Sequence, residues 1–242
     1  HVSERIIGAT QLALAEASNE LGLAEGGIGM GPGVGVISGH DAARDRPYQT
    51  QMILGVGGGP ASAWADGWEA NWLNAPCGGY VQKDSIEMDE QMYPIVVWEQ
   101  QLRQDGEGAG RLRGAPGTRA RFSPRHSEML VHYIIDGHDN PPLGARGGGG
   151  GAPSQAFKIA PDGSRTELPL VDGALITPEE QIDSLGAGGG GFGPGGVVAA
   201  EALGVEQGGV RAQLTVCLFQ GQPVRVQVVG EPDDAAFVKG PA

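Results

Sequence analysis

Glycine content constrains this chain more than any other feature of its sequence. The 242 residues include 44 glycines and 17 prolines, together about a quarter of the chain, and the glycines concentrate in segments such as 22–39, 105–119, 147–151 and 186–196. Such a proportion approaches that of low-complexity or disordered chains. Because the glycine segments alternate with strand-like segments, we predict loops and tight turns in a folded protein. Their irregular spacing argues against solenoid and collagen-like repeats.

Charge and hydropathy exclude several partners. The formal net charge is −13, and the only lysines are Lys83, Lys158 and Lys239. Binding to nucleic acid or to an anionic membrane needs clustered basic side chains, so neither is expected here. No apolar run approaches the ~18 residues of a membrane span, and the first residues lack a secretory pattern. We therefore expect a soluble, cytoplasmic protein in which Cys77 and Cys217 stay reduced and structural.

Hydrophobic periodicity predicts a mainly β fold with one long helix. Residues 2–21 place apolar side chains at helical spacing, with Ser3 as a plausible N-cap and Leu21–Gly22 as the stop. Nothing nearby in sequence covers the apolar face of this helix. Strands are predicted at 93–102, 118–122, 128–135 and 154–160, with a short strand ending at Leu168, another from Val171, a short helix near 199–203 and a closing hairpin around Gly221. The prediction is an α+β, mainly β fold: a distorted β-sandwich-like domain with an N-terminal helix and many glycine-rich loops.

Three tryptophans lie four residues apart, at positions 64, 68 and 72. That spacing would stack them on one helical face. Large aromatic side chains in a glycine-rich segment cover a core more often than they bind a ligand. We therefore predict that these tryptophans cover the core.

The segment "DGEGAGRLRGAPGTR", residues 105–119, is the first candidate binding site. It is not a P-loop, because no Lys-Ser or Lys-Thr pair follows its glycines. Backbone amides near Gly108 and Gly110, together with Arg111, Arg113 and Arg119, would suit a carboxylate or phosphate. The alternative, which local composition favours, is a tight turn between strands.

Histidines form two further candidate sites. His40 and Asp41 are adjacent and could ligate a divalent cation or act as an acid–base pair, although a polar turn with local ion pairs is the simpler interpretation. His126, His132 and His138 recur every six residues. On one strand neighbouring imidazoles would be ~20 Å apart, too distant to share a metal. Structural or solvated histidines are therefore expected.

The order of several motifs resembles a known family. The matching segments are the N-terminal helix "SERIIGATQLALAEA", the block "PYQTQMILGVGGGPASAWADGW", the run "YPIVVWEQQLRQDGEGAGRLRGAPG" and the glycine segments "LGARGGGGGAPS" and "GAGGGGFGP". In this order they resemble hydantoinase B, 5-oxoprolinase and the related subunits of acetone and acetophenone carboxylases. The resemblance divides the chain into a hydantoinase B-like C-terminal region, residues 1–196, and a helix and β-hairpin extension, residues 197–242.

The resemblance implies a split subunit of a multi-subunit ATP-dependent enzyme. The chain begins with His1 and resembles only the C-terminal half of a hydantoinase B, so the N-terminal half would come from another subunit and could carry a divalent metal. ATP and Mg²⁺ would bind to a hydantoinase A-like ATPase subunit, which phosphorylates a small carbonyl compound. Ketone carboxylation and lactam or hydantoin hydrolysis both remain open. Arg111 and Arg113, with Gly108 and Gly110, would contact the anionic group; alternatively, this chain is a non-catalytic structural subunit.

Overall fold

The computed structural model describes residues 2–18, 21–27, 31–69, 71–72, 79–80, 82–195, 218–219 and 222–223. The chain divides into two units, His1–Pro194 and Gly195–Ala242. In chain order the elements are α1 (Val2–Ala17), a 3₁₀ turn (Pro32–Val34), β1 (Val36–Asp41), β2 (Arg46–Gln51), β3 (Asn71–Trp72), β4 (Gly79–Tyr80), α2 (Ile86–Met92), β5 (Ile95–Leu102), β6 (Thr118–Pro124), β7 (Met129–Ile134), β8 (Gln155–Ile159), β9 (Arg165–Glu167), β10 (Val171–Ile176), β11 (Gln181–Leu185), β12 (Leu218–Phe219) and β13 (Gln222–Pro223).

Two antiparallel sheets dominate the first unit. One has four strands in the order β10-β7-β1-β2, and the other has five in the order β5-β6-β11-β8-β9. Their inner faces share one apolar core, which contains Ile37 and Val131 from the first sheet and Phe122 and Ile182 from the second. The mainly β, sandwich-like fold with an N-terminal helix is therefore confirmed.

The N-terminal helix is confirmed, but its predicted details are partly wrong. It begins at Val2 and ends at Ala17, so Ser3 lies inside it and is not the N-cap. Ala15 faces inward, and its cluster includes Ala61, Ala145 and Phe192. The large apolar residues Ile6 and Leu14 are instead exposed. The inward side of the helix thus includes Ala15 and the partly buried Leu12, which packs against the same cluster.

The glycine-rich segments have the irregular backbone that was predicted for them, and most of them are buried in a bundle. A central segment, 186–193, is hydrogen-bonded to four others, and we call these five segments the glycine bundle: 24–27, 57–61, 106–117, 142–152 and 186–193. Every residue from Ala187 to Gly193 is buried. The bundle thus forms a second interior made of backbone.

The hydrogen bonds of the central segment rotate among its neighbours. Its N–H groups donate in turn from Gly188 to Ala152, from Gly189 to Ala115, from Gly190 to Glu25, from Gly191 to Gly149 and from Phe192 to Leu112. Residues three apart therefore donate to the same neighbouring segment: Gly188 and Gly191 to 142–152, and Gly189 and Phe192 to 106–117. A three-residue turn without internal hydrogen bonds is the geometry of a polyproline II helix, whose backbone groups all point outward. The surrounding segments satisfy these groups, which buried backbone requires.

Close approach explains why glycine is needed in the bundle. A methyl group at Gly188 would overlap the carbonyl oxygen of Gly106, and one at Gly189 would overlap that of Gly59. The segment 105–119 shares this packing, because a methyl group at Gly114 would overlap the carbonyl oxygen of Gly189. This segment is therefore a bend through which backbones pass closely.

Two further elements were missed or only partly predicted. The acidic segment before β5 is a helix, α2, whose N-cap Ser85 accepts a hydrogen bond from the Met88 amide at 3.4 Å. Strand β11 lies between β6 and β8, although its sequence indicates only a turn into a glycine loop. The hairpin around Gly221 is confirmed by the antiparallel pair β12 and β13. Cys77, Cys217, the short helix near 199–203 and the tail after Glu231 lie outside the described residues.

Candidate functional site

Two tryptophans project from the loop that follows the glycines at 57–59. The Ser62 hydroxyl accepts hydrogen bonds from the amides of Trp64 (3.1 Å) and Ala65 (2.9 Å), which fixes a tight turn. The side chains of Trp64 and Trp68 are 73% and 72% exposed. The prediction that they cover the core is therefore wrong for these two. Large exposed aromatic residues mark binding surfaces more often than they mark ordinary surface.

Arg111 and Arg113 lie alongside this tryptophan loop. The guanidinium of Arg111 donates to the Ala63 carbonyl at 2.9 Å. The Arg113 amide donates to the Asp66 carboxylate at 2.9 Å, and its guanidinium is 3.9 Å from the same group. Both arginine side chains are exposed and retain N–H groups that have no acceptor among the described residues. We call Trp64, Trp68, Arg111 and Arg113 the Trp–Arg surface.

Gly108 and Gly110 differ in their backbone roles. The Gly108 amide donates to the Gly189 carbonyl at 2.8 Å, and its own carbonyl accepts from Gly114 at 3.0 Å. Its backbone is therefore committed to the glycine bundle. Gly110 packs against the backbone of Leu112 and Phe192, which would clash with a side chain at this position. Both glycines place Arg111 at the edge of the bundle.

The third arginine of the segment, Arg119, belongs to a different cluster. Its guanidinium donates to the fully buried Asp183 at 2.8 and 3.0 Å and contacts Glu99 at 3.1 Å. Hydrogen bonding to Asp183 is the main cause that raises the pKa of Arg119. Arg165 also donates to Asp183 at 2.9 Å and lies over the Phe157 ring. The sequence did not indicate this network, because its members come from four different strands.

The structure does not bring the His40 imidazole and the Asp41 carboxylate together. The two residues are consecutive on β1, so their side chains point to opposite faces of the sheet. His40 is exposed and lies 3.4 Å from Asp45, whereas Asp41 is buried and bonded to Arg44 at 2.7 Å. The hydrogen bond from Arg44 is the main cause that holds the pKa of Asp41 below its usual range. This arrangement is a hairpin turn with local ion pairs.

The three regularly spaced histidines do not converge. His132 lies on β7, while His126 precedes that strand and His138 follows it. Both ring nitrogens of His138 already have partners, Asp139 at 2.9 Å and Glu167 at 3.2 Å, and these bonds raise its pKa. Among the residues that the structure describes, no group of three or more potential ligands could hold a metal ion.

Asp89 is a buried titratable group that the sequence did not reveal. It lies on α2, and one carboxylate oxygen is buried without a hydrogen-bond partner. Burial, with a smaller contribution from nearby Asp84, raises its pKa to about 6.

Within the described part of the chain, no helix is both long and apolar enough to cross a bilayer.

Comparison with known proteins gives a consistent result. The family model described as hydantoinase B/oxoprolinase matches residues 1–195. Over 202 residues the chain is 30% identical to caprolactamase subunit beta of Pseudomonas jessenii. This alignment covers 78% of this chain and 33% of that protein. Over 108 residues it is 33% identical to an uncharacterised protein of Methanocaldococcus jannaschii, covering 45% of this chain and 19% of that one.

Solved structures agree with these matches. The crystal structure of the ATP-dependent caprolactamase from Pseudomonas jessenii superposes with a TM-score of 0.65 at 27% identity, covering 76% of this chain and 32% of that chain. A nucleotide-free structure of acetone carboxylase superposes with a TM-score of 0.52 at 15% identity, covering 69% of this chain and 26% of that chain. The second likeness shows the fold alone. The chain thus spans about a third or less of the length of the relatives that it matches.

Proposed function

The chain belongs to the hydantoinase B/oxoprolinase family, and from that premise we propose that it is one subunit of a multi-subunit ATP-dependent enzyme acting on a small carbonyl compound. Hydrolysis of a lactam or hydantoin through a phosphorylated intermediate is the first candidate reaction. The observation that carries it is the 30% identity to caprolactamase subunit beta across most of this chain. Ketone carboxylation is the second candidate, supported by the fold shared with acetone carboxylase.

The proposed partners are a hydantoinase A-like ATPase subunit and a polypeptide region that corresponds to the rest of a hydantoinase B. Two observations support the second partner. This chain matches only 33% of caprolactamase subunit beta, and apolar side chains of α1 that would normally be covered, Ile6 and Leu14, are exposed. In this proposal ATP and Mg²⁺ bind to the ATPase subunit, any divalent metal lies in the rest of the hydantoinase B, and the complex acts in the cytoplasm.

Arg111 and Arg113 are the residues of this chain that we assign to an anionic group. The phosphorylated intermediate of a lactam is negatively charged, and a guanidinium can donate two parallel hydrogen bonds to a phosphate or carboxylate. The N–H groups left over on both arginines are suited to this role. The nearby indole rings of Trp64 and Trp68 would exclude water once a partner closes over them, which strengthens such electrostatic contacts.

The alternative proposal is a non-catalytic structural subunit that holds catalytic partners together. The extent of the glycine bundle favours it, because amides such as that of Gly108, which a binding loop would offer to a ligand, are committed to backbone carbonyls. In that case the Trp–Arg surface would contact a partner protein and no substrate.

The first test is native mass spectrometry of the protein purified from its source, with every subunit identified after dissociation. The proposal predicts an assembly that contains an ATPase of the hydantoinase A type. Assays then start from ATP with small lactams, and from ATP with bicarbonate and small ketones. Isolation of this chain as a stable monomer would contradict the subunit proposal.

The second test is the double substitution Arg111→Ala and Arg113→Ala in the assembled complex. Because two charge-assisted contacts to the intermediate would be lost, we expect ATP-coupled turnover to fall on the order of 100-fold, while the assembly and its melting temperature are maintained. The matched control is Arg46→Ala, which removes an exposed arginine of β2. Full turnover in the double variant would remove both arginines from the active site and favour the structural alternative.

A further inference from the structure

The strand-paired residues on the outer face of the four-stranded sheet include no charged side chain. Residues paired directly across antiparallel strands point to the same side, so the register defines this face. It consists of Val171, Gly173 and Leu175 of β10, Leu130, His132 and Ile134 of β7, Val36, Ser38 and His40 of β1, and Pro47, Gln49 and Gln51 of β2. We call these twelve residues the uncharged sheet face. None of them is Asp, Glu, Lys or Arg, although the chain has a net charge of −13.

Large apolar side chains lie together on one half of this face. Val171, Leu175 and Ile134 are 67%, 51% and 40% exposed. Ile134 is directly opposite Val171, and Leu130 is directly opposite Leu175. The His132 ring lies against Gly173, where a methyl group would be 2.9 Å from its Nδ1 atom. The apolar side chains of β7 and β10 are therefore neighbours on either side of His132 and Gly173.

The other sheet provides an internal comparison. Its outer face carries Glu99, Arg121 and Asp183 in directly paired positions on three neighbouring strands. Arg119 and Arg165 bind to the same carboxylates. That face therefore carries paired charges, as is common on the side of an antiparallel sheet that faces away from the core. The uncharged sheet face lacks such charges, and contiguous exposed apolar surface marks a site of protein contact.

The size of the face argues against a second copy of this chain as its occupant. Four strands ~4.8 Å apart and six residues rising ~3.4 Å each give a face of roughly 400 Å². Two such faces would bury about 800 Å² in total, which is the size of a crystal contact and below that of a stable interface. The occupant must therefore also be held elsewhere, by further contacts or by a covalent connection.

We infer that the uncharged sheet face packs against the region of a hydantoinase B-type protein that lies outside the third matched by this chain, an inference that rests on the family part of the proposed function. That region makes up the remaining two thirds of caprolactamase subunit beta, so it is large enough to contact this chain at several places. Opposite Val171, Ile134 and Leu175 its contacting surface is apolar and uncharged, because a charge buried there would have no partner. At one end of the face, an open groove of about 380 Å³, lined by Ser38, His40, Leu130, Leu175 and the acidic residue Glu128, accommodates a protruding side chain.

Site-specific photo-crosslinking in the source cells tests this inference. The photoreactive residue p-benzoylphenylalanine replaces Leu175, and in a matched control it replaces Leu102, which is 55% exposed on β5 of the other sheet. We expect position 175 to crosslink to a peptide that aligns with the unmatched two thirds of the hydantoinase B-type relatives, whether it belongs to this polypeptide or to another. Crosslinks from position 175 to a second copy of this chain or to the ATPase subunit would overturn the inference. Equal crosslinking from positions 175 and 102 would also overturn it.

Charge substitution tests the same contact without a probe. Leu175→Glu places a carboxylate on the face, and Leu102→Glu is the matched control. Both sites are exposed, so the isolated variants are expected to melt as the wild type does. We expect Leu175→Glu to weaken association with the crosslinked region on the order of tenfold to 100-fold, and Leu102→Glu to leave it unchanged. Unchanged association of Leu175→Glu would contradict the inference. Crosslinking from position 175 in an assembly that lacks ATP-coupled activity would leave the inference intact and contradict only the proposed reaction.

Discussion

At the scale of single residues, environment decides which side chains are chemically distinctive. Asp89 and Glu87 lie on the same short helix, two positions apart, and both are ordinary acidic residues in the sequence. Burial raises the pKa of Asp89 to about 6, whereas a hydrogen bond from Ser85 is the main cause that lowers the pKa of the exposed Glu87. The same principle applies to the tryptophans. Trp64 and Trp68 become binding candidates only because the fold leaves them exposed.

The raised pKa of Asp89 makes a prediction about stability and pH. The folded protein holds this proton up to a pH of about 6, while the unfolded chain releases it near 3.8. Folding stability therefore falls as the pH rises from about 4 to about 6, and it stays lowered above that range. We expect Asp89→Asn to stabilise the protein at pH 7 by on the order of 1–3 kcal/mol and to remove this part of the pH dependence, as measured by urea unfolding. Glu87→Gln is the control and should change stability by less than ~0.5 kcal/mol. If the free energies of unfolding of Asp89→Asn and the wild type changed with pH in the same way, burial would not raise the pKa of Asp89.

At the scale of elements, β11 connects strands that are distant in sequence. It pairs with β6 on one side and with β8 on the other. Its Asp183 is fully buried and binds to Arg119 of β6 and to Arg165 of β9. One carboxylate therefore compensates two guanidinium groups across the five-stranded sheet.

Removing that carboxylate is expected to be costly. Asp183→Asn would remove the buried carboxylate that Arg119 and Arg165 both contact, leaving Arg119 with Glu99. Because both guanidinium groups are partly exposed, we expect a cost on the order of 1–3 kcal/mol. The measurement is the free energy of unfolding in urea at pH 7. The control, Asp45→Asn, removes a carboxylate that is almost fully exposed and 3.4 Å from His40, and it should cost less than ~0.5 kcal/mol. If Asp183→Asn changed the free energy of unfolding as little as the control does, the Asp183 network would contribute little to stability.

At the scale of the whole first unit, the glycine bundle joins segments that range from residue 24 to residue 193. Gly27 bonds to Gly58, Gly58 bonds to Ala187, and Gly188 bonds to Ala152. The β-sandwich has its own apolar core, and the bundle adds an interior in which close-packed backbone takes the place of side chains. Such packing tolerates no added atom, since dense interiors relax only partially around an insertion.

A single methyl group tests whether the bundle is an interior or a set of loops. Gly189→Ala would force a clash with the Gly59 carbonyl, and we expect it to destabilise the protein by about 3 kcal/mol or more. The control is Gly8→Ala, where the added methyl group has no atom within 4 Å. In the middle of α1 that change should stabilise by roughly 0.5–1 kcal/mol. Thermal unfolding followed by circular dichroism compares the two. Equal melting temperatures for Gly189→Ala and the wild type would show that the segment is a loop.

Short-range features of the fold were predictable because they depend on neighbours along the chain. Helical spacing indicated α1, alternation indicated β5 to β8, and the turn residues around Gly221 indicated the last hairpin. The order of the glycine and Tyr-Pro motifs was enough to indicate the family. The candidate site was predictable only in part. Arg111 and Arg113 stood out in the sequence, but their position beside Trp64 and Trp68 did not.

The sequence by itself determined where α1 and most of the strands form, that glycine-rich segments without regular structure separate them, and which family the chain belongs to. Only the tertiary structure decided which backbone each glycine meets, which side of α1 faces inward, and that one sheet has a charged outer face and the other an uncharged one. The physical reason is distance along the chain. Glu25 and Gly190, or Arg119 and Asp183, are separated by scores of residues or more. No local pattern records a contact that forms only when the whole chain has folded.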